Sequence, residues 1–226
     1  MTKKQIQFSS SATTFYFDAS FDYLEKISAK ENTVLLTDEN IFAKNKKRFK
    51  SWQTIVVKAG EQHKNQATVD DIIHQMIAIG ADRKTTLVGV GGGVITDMAG
   101  YVAGVYMRGI PFGFVPTSIL AMVDACIGGK NGVDVGVYKN MVGLIRQPRF
   151  LFYDYSFLQT LPKQEWTNGF AEIIKHAAIK DAAMFTLLQQ HQLSDFQKNN
   201  ALLNKLIQRN AMLKSKVVVE DEFETG

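Results

Sequence analysis

The chain has 226 residues, of which 46% are hydrophobic, 21% charged and 11% aromatic, a globular composition that excludes intrinsic disorder and collagen-like repeats. Its 26 basic and 22 acidic residues leave a formal charge of +4, too small and too scattered to argue for a nucleic-acid partner. The single cysteine, Cys126, has no partner for an internal disulfide, which excludes a disulfide-stapled secreted scaffold.

The N-terminus, MTKKQIQFSSS, carries two lysines with no apolar run behind them, so it does not read as a secretory signal. Ile6–Phe8 and Phe15–Phe17 are expected to form a small edge pairing. Short runs rich in Val, Ile, Phe and Leu then predict buried strands at Thr33–Thr37, Thr54–Lys58, Thr85–Val90, Phe112–Val115 and Phe150–Tyr153. The clearest helix is Val69–Ile79, where Val69, Ile72, Ile73, Met76 and Ile77 repeat as one buried face. Thr68 is its expected N-cap, and Gly80 its left-handed stop. Gly100 to Val123 is the most apolar stretch, but Arg108, Pro111 and Pro116 interrupt it. A membrane span needs about 20 unbroken apolar residues, so this stretch reads as core. After about Asp154 the strand signal stops. Leu158–Lys180, Ala182–Gln190 and Ala201–Val219 read as helices, the last with an apolar stripe of Leu202, Leu203, Leu206, Ile207 and Leu213.

The expected architecture is therefore α/β: residues 1–154 form a parallel sheet with helices on both faces, and 155–226 begin a helical second domain. EDEFETG follows the long helix with no closing element, so the helical domain is expected to be partly missing. A soluble, cytoplasmic protein without membrane partners is expected.

The strongest chemical signal is TTLVGVGGGVITD, Thr85 to Asp97. A buried strand runs into Gly91-Gly92-Gly93 and then into a helix opening near Val94. Glycines admit a ligand close to the backbone, and a helix N-terminus offers unpaired N–H groups, which together suit a pyrophosphate. The standard dinucleotide fingerprint is incomplete, because its third glycine falls at Val94 and the next strand ends in Pro116 rather than an acid. Asp38, in TDEN, is a candidate ribose contact. The alternative is a glycine-rich turn without a ligand. Four cations, Arg108, Lys130, Lys139 and Lys175, stand near turns and suit phosphate or carboxylate; the alternative is solvated surface. Lys130 and Lys139 fall in predicted glycine-rich loops beside Asp124 and Asp134. Glu172 and His176 stand four apart on a predicted helix and can face one metal ion, or can be hydrogen-bonded surface neighbours. His63, His74 and His191 show no ligand spacing, and Cys126 reads as core.

Four blocks in order, GGGVITDMAGYVAGVYMRGIPF, VPTSILAMVDACIGGKNGVD, YKNMVG with QP, and LPKQEWTNGFAEIIKHA, resemble the 3-dehydroquinate synthase family from about Asp38 onward. The family is similar to other sugar-phosphate cyclases and more distantly to glycerol dehydrogenases. The resemblance implies a Rossmann-like N-terminal domain, a helical C-terminal domain, and an active site between them. It implies NAD and a zinc or cobalt ion as cofactors. It also implies conversion of 3-deoxy-D-arabino-heptulosonate 7-phosphate to 3-dehydroquinate and phosphate, a step of the shikimate pathway to aromatic amino acids. A homodimer is expected.

Carried onto this sequence, the family pattern puts Asp38 and Asn40 at the adenosine half of NAD and Glu61 and Lys64 near the ribose. Gly92, Gly93 and Asp97 fall on the pyrophosphate and nicotinamide side, followed by Thr117 and Ser118, with Phe157, Thr160 and Glu165 closing over the cofactor. Lys130 and Lys139 count both as cofactor contacts and, with Arg108, Asp124, Asn140, Lys175 and Lys214, as substrate-binding or catalytic positions. Glu172 falls on the first zinc ligand. His176 does not fall on a ligand, because the family takes two histidines from a segment after Gly226. Tyr138 departs from the glycine common at its position, and LIRQP departs from the usual aromatic. The alternatives are another sugar-phosphate cyclase, or a non-catalytic NAD-binding fragment.

Overall fold

The computed structural model of the chain describes residues 1–223 and 225. Its main sheet has seven strands, the middle ones apolar runs covered on both faces and the flanking ones mostly exposed or alternating. These are β1 (Thr2–Gln7), β2 (Ala12–Phe17), β3 (Thr33–Asp38), β4 (Gln53–Val57), β5 (Thr86–Gly91), β6 (Phe112–Pro116) and, after a further hairpin, β9 (Phe150–Phe152). Side by side they run β1-β2-β9-β6-β5-β3-β4, every pair parallel except β1 with β2. Every residue of β5 and β6 is buried, as a parallel sheet covered on both sides requires.

The register decides where a ligand can sit. Thr37 pairs with Val90, Gly91 with Pro116 and Asp38 with Val57. The carboxyl ends of β3, β5 and β6 are therefore level, and Asp38, Gly92 and Thr117 leave the sheet along one edge. That edge is where open α/β sheets form their binding crevice.

The helices are α1 (Glu39–Phe49), α2 (Gln66–Ala78), α3 (Gly93–Val105), α4 (Lys163–Lys180), α5 (Ala182–Gln189), α6 (Leu193–Lys198) and α7 (Asn200–Glu220). The cap of α2 is Asn65, not Thr68: the Asn65 side chain accepts the Thr68 N–H at 3.0 Å, so Thr68 lies one turn inside. Val69, Ile72 and Met76 are buried as expected, but Ile77 is 60% exposed, because the helix meets the sheet on a narrower stripe than the periodicity suggested. Gly80 does end the helix, at φ +73°, and the Ala81 N–H reaches back to the Met76 carbonyl at 3.0 Å. The helix expected from Leu158 begins at Lys163, after a 3-10 turn over Tyr155–Thr160 and Pro162, since proline starts a helix but cannot sit inside one.

The largest departure from expectation is the segment holding Lys130 and Lys139. It is not loop but an antiparallel hairpin, β7 (Lys130–Val135) and β8 (Tyr138–Ile145). Its glycines serve close approach rather than irregularity. A Cβ on Gly132 would stand 2.5 Å from the Val142 carbonyl oxygen, and one on Gly143 would stand 2.2 Å from that of Asn131. The hairpin lies on α3. The helical part shares its core with the sheet: Ile173 of α4 and Leu206, Ile207 and Ala211 of α7 pack in one cluster with Val102 of α3 and Phe114 of β6.

Glu222, just beyond α7, ties that helix to the other end of the chain. Its carboxylate accepts the Ser9 N–H (2.7 Å), the Ser10 hydroxyl (2.8 Å), the Gln147 amide (3.0 Å) and the Ser9 hydroxyl. Burial opposes its charge, but these hydrogen bonds outweigh burial and bring its pKa from 4.5 to about 2. A depressed carboxylate stabilises the fold above its unfolded pKa and loses that contribution as pH falls through the folded value. Glu222→Gln is therefore expected to cost on the order of 2–3 kcal/mol at pH 7 and far less near pH 2. Urea unfolding at both pH values checks this, and an equal cost at the two would refute it.

Candidate active site

The crevice along the carboxyl edge of the sheet has a volume of about 910 Å³. Asp38 lies at one end, where it caps α1 by accepting the Asn40 N–H at 2.9 Å and the Ile41 N–H at 3.0 Å. The glycine turn forms the middle. Gly91 is demanded by packing, since a Cβ there would stand 2.6 Å from Ile95. Gly92 and Gly93 are not: a Cβ would meet only Ser118 Oγ at 3.5 Å and Ala125 at 3.4 Å, ordinary contact distances. Their bareness instead holds space open at the N-terminus of α3, which has no side-chain cap and no acid in its first turn. Such an end, with free N–H groups and open room, fits a pyrophosphate. Asn40, Glu61, Lys64, Asp97, Thr117, Ser118, Lys139, Phe157, Thr160 and Glu165 line the same crevice.

A second cleft of about 640 Å³ adjoins it and shares Asp97 and Ala125. Asp124, Lys130, Asn140 and Lys214 line it. Asp124, on a short π-helical turn over Ala121–Ala125, pairs with Lys214 of α7 at 2.9 Å. Lys130, the one expected cofactor contact outside the first crevice, stands here at the start of β7.

Lys64 joins the two clefts. The residue is 4% exposed, and its ammonium donates to Asp97 Oδ2 and Asn140 Oδ1, both at 2.6 Å. Asn140 has φ +57° and donates its N–H to Asp134 at 2.8 Å, so the start of β8 is fastened to the cofactor crevice. Burial raises the Asp97 pKa from 3.8 to about 6, against the opposing pull of Lys64. Lys139 reaches Glu61 at 3.2 Å, a contact exposed on both sides.

Glu172, Lys175 and His176 share one face of α4. Lys175 pairs with Glu172 and is 56% exposed. His176 Nε2 lies 2.9 Å from Glu172 Oε1 and 3.7 Å from Asp124 Oδ1, and the three donor atoms lie within 4.8 Å of one another. One imidazole and two carboxylates form a donor set suited to a divalent transition metal. The structure does not bring Arg108 to either cleft. It is exposed just past the C-terminal end of α3, and a 13-residue helix separates it from the glycine turn by about 20 Å. Sequence reasoning missed Asn210, which is fully buried and meets His176 Nδ1 through its Oδ1 at 2.9 Å. Its signal was a polar residue on the apolar stripe of α7, seven after Leu203 and three after Ile207.

No helix among the described residues is long and apolar enough to cross a membrane. Fold and site together define an α/β protein with a binding crevice at the carboxyl edge of a mostly parallel sheet and a helical C-terminal part beside it. Within that class the chain belongs to the 3-dehydroquinate synthase family: the family's N-terminal part matches residues 54–168 and its C-terminal part 169–226. It is 36% identical to the 3-dehydroquinate synthase of Campylobacter curvus over 228 residues, covering 98% of this chain and 65% of that one. It is 41% identical to that of Leptospira interrogans over 174 residues, covering 77% and 48%. The chain thus spans about half to two thirds of the length of these relatives. Among solved structures, it is 25% identical to 2-epi-5-epi-valiolone synthase from Streptomyces hygroscopicus, determined with NAD+ and Zn2+. The TM-score is 0.85, over 98% of this chain and 64% of that one. A 2-deoxy-scyllo-inosose synthase determined with carbaglucose-6-phosphate, NAD+ and Co2+ aligns at TM-score 0.79 and 26% identity, over 99% and 65%.

Proposed function

We propose that this chain is the cofactor-holding portion, and part of the metal- and substrate-holding portion, of a 3-dehydroquinate synthase. The reaction is conversion of 3-deoxy-D-arabino-heptulosonate 7-phosphate to 3-dehydroquinate and phosphate. The observation that carries the reading is the pair of adjoining clefts that share Asp97, one built on the bare glycine turn and one lined by Lys130 and Lys214. A division near residue 154 separates the two portions, since β9 is the last strand.

The first crevice would hold NAD along the sheet edge from Asp38 to Asp97, and Glu172 would hold zinc or cobalt midway along α4. Held there, NAD would contribute hydride chemistry and the metal ion Lewis acidity. The residues of this chain supply position and charge. Lys130 and Asn140 from the second cleft, with Lys139 from the neighbouring crevice, would take the substrate phosphate. Asp124, fixed by Lys214, faces the ring hydroxyls, with Lys175 at the rim toward the carboxylate. Phe157 and Leu161 wall the cofactor side. The same reading takes a phosphorylated sugar acid as the small-molecule partner and a second copy of the protein as the macromolecular one, in the cytoplasm.

The test is phosphate release from that heptulosonate by the intact, metal-loaded gene product with NAD. No release, or no NAD binding by calorimetry, overturns the reading; release only from a different sugar phosphate assigns a sister cyclase. Identities of 36–44% to the synthases, against 25–26% to the other cyclases, favour the first outcome. Lys130→Ala is expected to raise KM about 10- to 100-fold, the worth of one charge-assisted hydrogen bond, and to lower kcat, with NAD affinity unchanged. An equal loss of NAD affinity would remove Lys130 from the substrate side.

A further inference from the structure

We propose that Arg48 is a positioning residue for the cofactor crevice: it fastens the turn Tyr155–Thr160 to α1 and so sets the width of the crevice at its Asp38 end. The inference rests on the reading of that crevice as the NAD site and adds to it a residue that does not line it. Two walls face each other at this end. α1 supplies Ile41 and Lys44, and the turn supplies Phe157 and Thr160. The side-chain contacts that join the walls span 106 to 116 residues of chain, so tertiary structure alone sets their spacing.

Neither wall is fixed by apolar packing alone. Phe49 is the single buried residue of α1, and the helix is interrupted at Asn45, which has φ −126° and donates its amide to the Ile41 carbonyl at 3.0 Å. The turn has Phe157 and Leu158 as buried anchors, but its residues are shared between the crevice and a separate cleft of about 580 Å³. Arg48 supplies the tie with one planar group. Its Nη1 donates to Asp154 Oδ2 at 3.2 Å and its Nη2 to Ser156 Oγ at 2.8 Å, while the guanidinium lies 4.6 Å from the centre of the Phe157 ring. Surface ion pairs are usually worth little, but here the acceptor is prearranged. Asp154 is 6% exposed and already accepts the Phe21 and Ser156 N–H groups, both at 2.9 Å, so it cannot follow the arginine outward. The forked donors and the flat face belong to a guanidinium and not to an ammonium. Lys44, one turn earlier on α1, adds a lesser tie, its Nζ donating to the Thr160 carbonyl at 3.2 Å.

The experiment measures NAD affinity by calorimetry, and substrate KM at saturating NAD, on the full-length, metal-loaded protein. Arg48→Met is expected to weaken NAD about 10-fold, the worth of the charge-assisted hydrogen bonds that hold the wall. AMP, which reaches only the Asp38 half of the crevice, is expected to weaken by the same factor, with substrate KM unchanged. Arg48→Lys is expected to recover only part of the loss. Ser156→Ala removes one of the two acceptors; it is expected to weaken NAD about threefold and to add little to Arg48→Met in the double variant. Wild-type NAD affinity in Arg48→Met would overturn the proposal. A substrate KM that rises in step with the NAD Kd would overturn it as well, since that marks general loosening. If Arg48→Met does not fold, Ser156→Ala decides, and unchanged NAD affinity there is the overturning result. A wild-type protein that binds no NAD defeats the cofactor reading itself, and the proposal with it.

Discussion

Lys64→Met is expected to destabilise the protein by about 3 kcal/mol at pH 8, to cost clearly less at pH 5, and to weaken NAD binding at least tenfold. The reason lies in Asp97. Its folded pKa of about 6 exceeds its ordinary 3.8 because burial outweighs the pull of Lys64. For a group raised in the folded state, the stability it contributes is complete below the unfolded pKa and is lost as pH rises through the folded one. The charged carboxylate is thus already a cost above pH 6, and Lys64 is what limits it. Removing the ammonium raises the Asp97 pKa further, so the deficit of the variant grows with pH. Asn140 loses its 2.6 Å donor at the same time, which loosens the start of β8 where Lys139 stands. Urea unfolding at pH 5 and pH 8 checks the sign, and a deficit independent of pH would show that Asp97 is not the group left uncompensated.

Gly100→Ala is expected to cost about 3 kcal/mol, at the upper end for overpacking, although alanine is by itself the better helix former. A Cβ at residue 100 would lie 1.7 Å from Asn131 Oδ1 and 2.3 Å from its Cγ. Asn131 is 5% exposed, and its amide is pinned to the Gly129 carbonyl at 2.5 Å and the Arg146 carbonyl at 3.0 Å. It has no room to withdraw, so β7 must lift from α3 and carry Lys130 with it. The substrate KM should rise along with the loss of melting temperature. Gly80→Ala is the control: φ there is +73° with nothing within 4 Å, so only backbone strain of about 1 kcal/mol applies. A Gly100→Ala protein as stable as that control would refute the packing argument.

The strands β3, β5 and β6 were legible because each is a continuous apolar run, which few structures besides a covered parallel strand accommodate, and β4 at the sheet edge because its Ile55 and Val57 alternate inward. The hairpin was not. Gly132 and Gly143 resemble loop punctuation in a linear reading, yet they are there because two backbones approach within the space of a methyl group. β8 is exposed along most of its length, so it offers no alternation to detect. α1 was equally quiet, since Phe49 is its single buried residue.

Local pattern was enough to establish the sheet, the glycine turn at the end of β5 and the i, i+4 pair on α4, because each depends on residues within a turn or a strand of one another. The family likeness supplied the roles. What only the folded chain decided was company. Lys64 meets Asp97 across 33 residues, His176 meets Asn210 across 34, and Asp124 joins Glu172 from a different element. Arg108, close to Asp97 in sequence, ends a helix length away from it. Such meetings follow from level strand ends and from α7 packing against the turn at Asp124. These are properties of the shared core, and no periodicity along the chain encodes them.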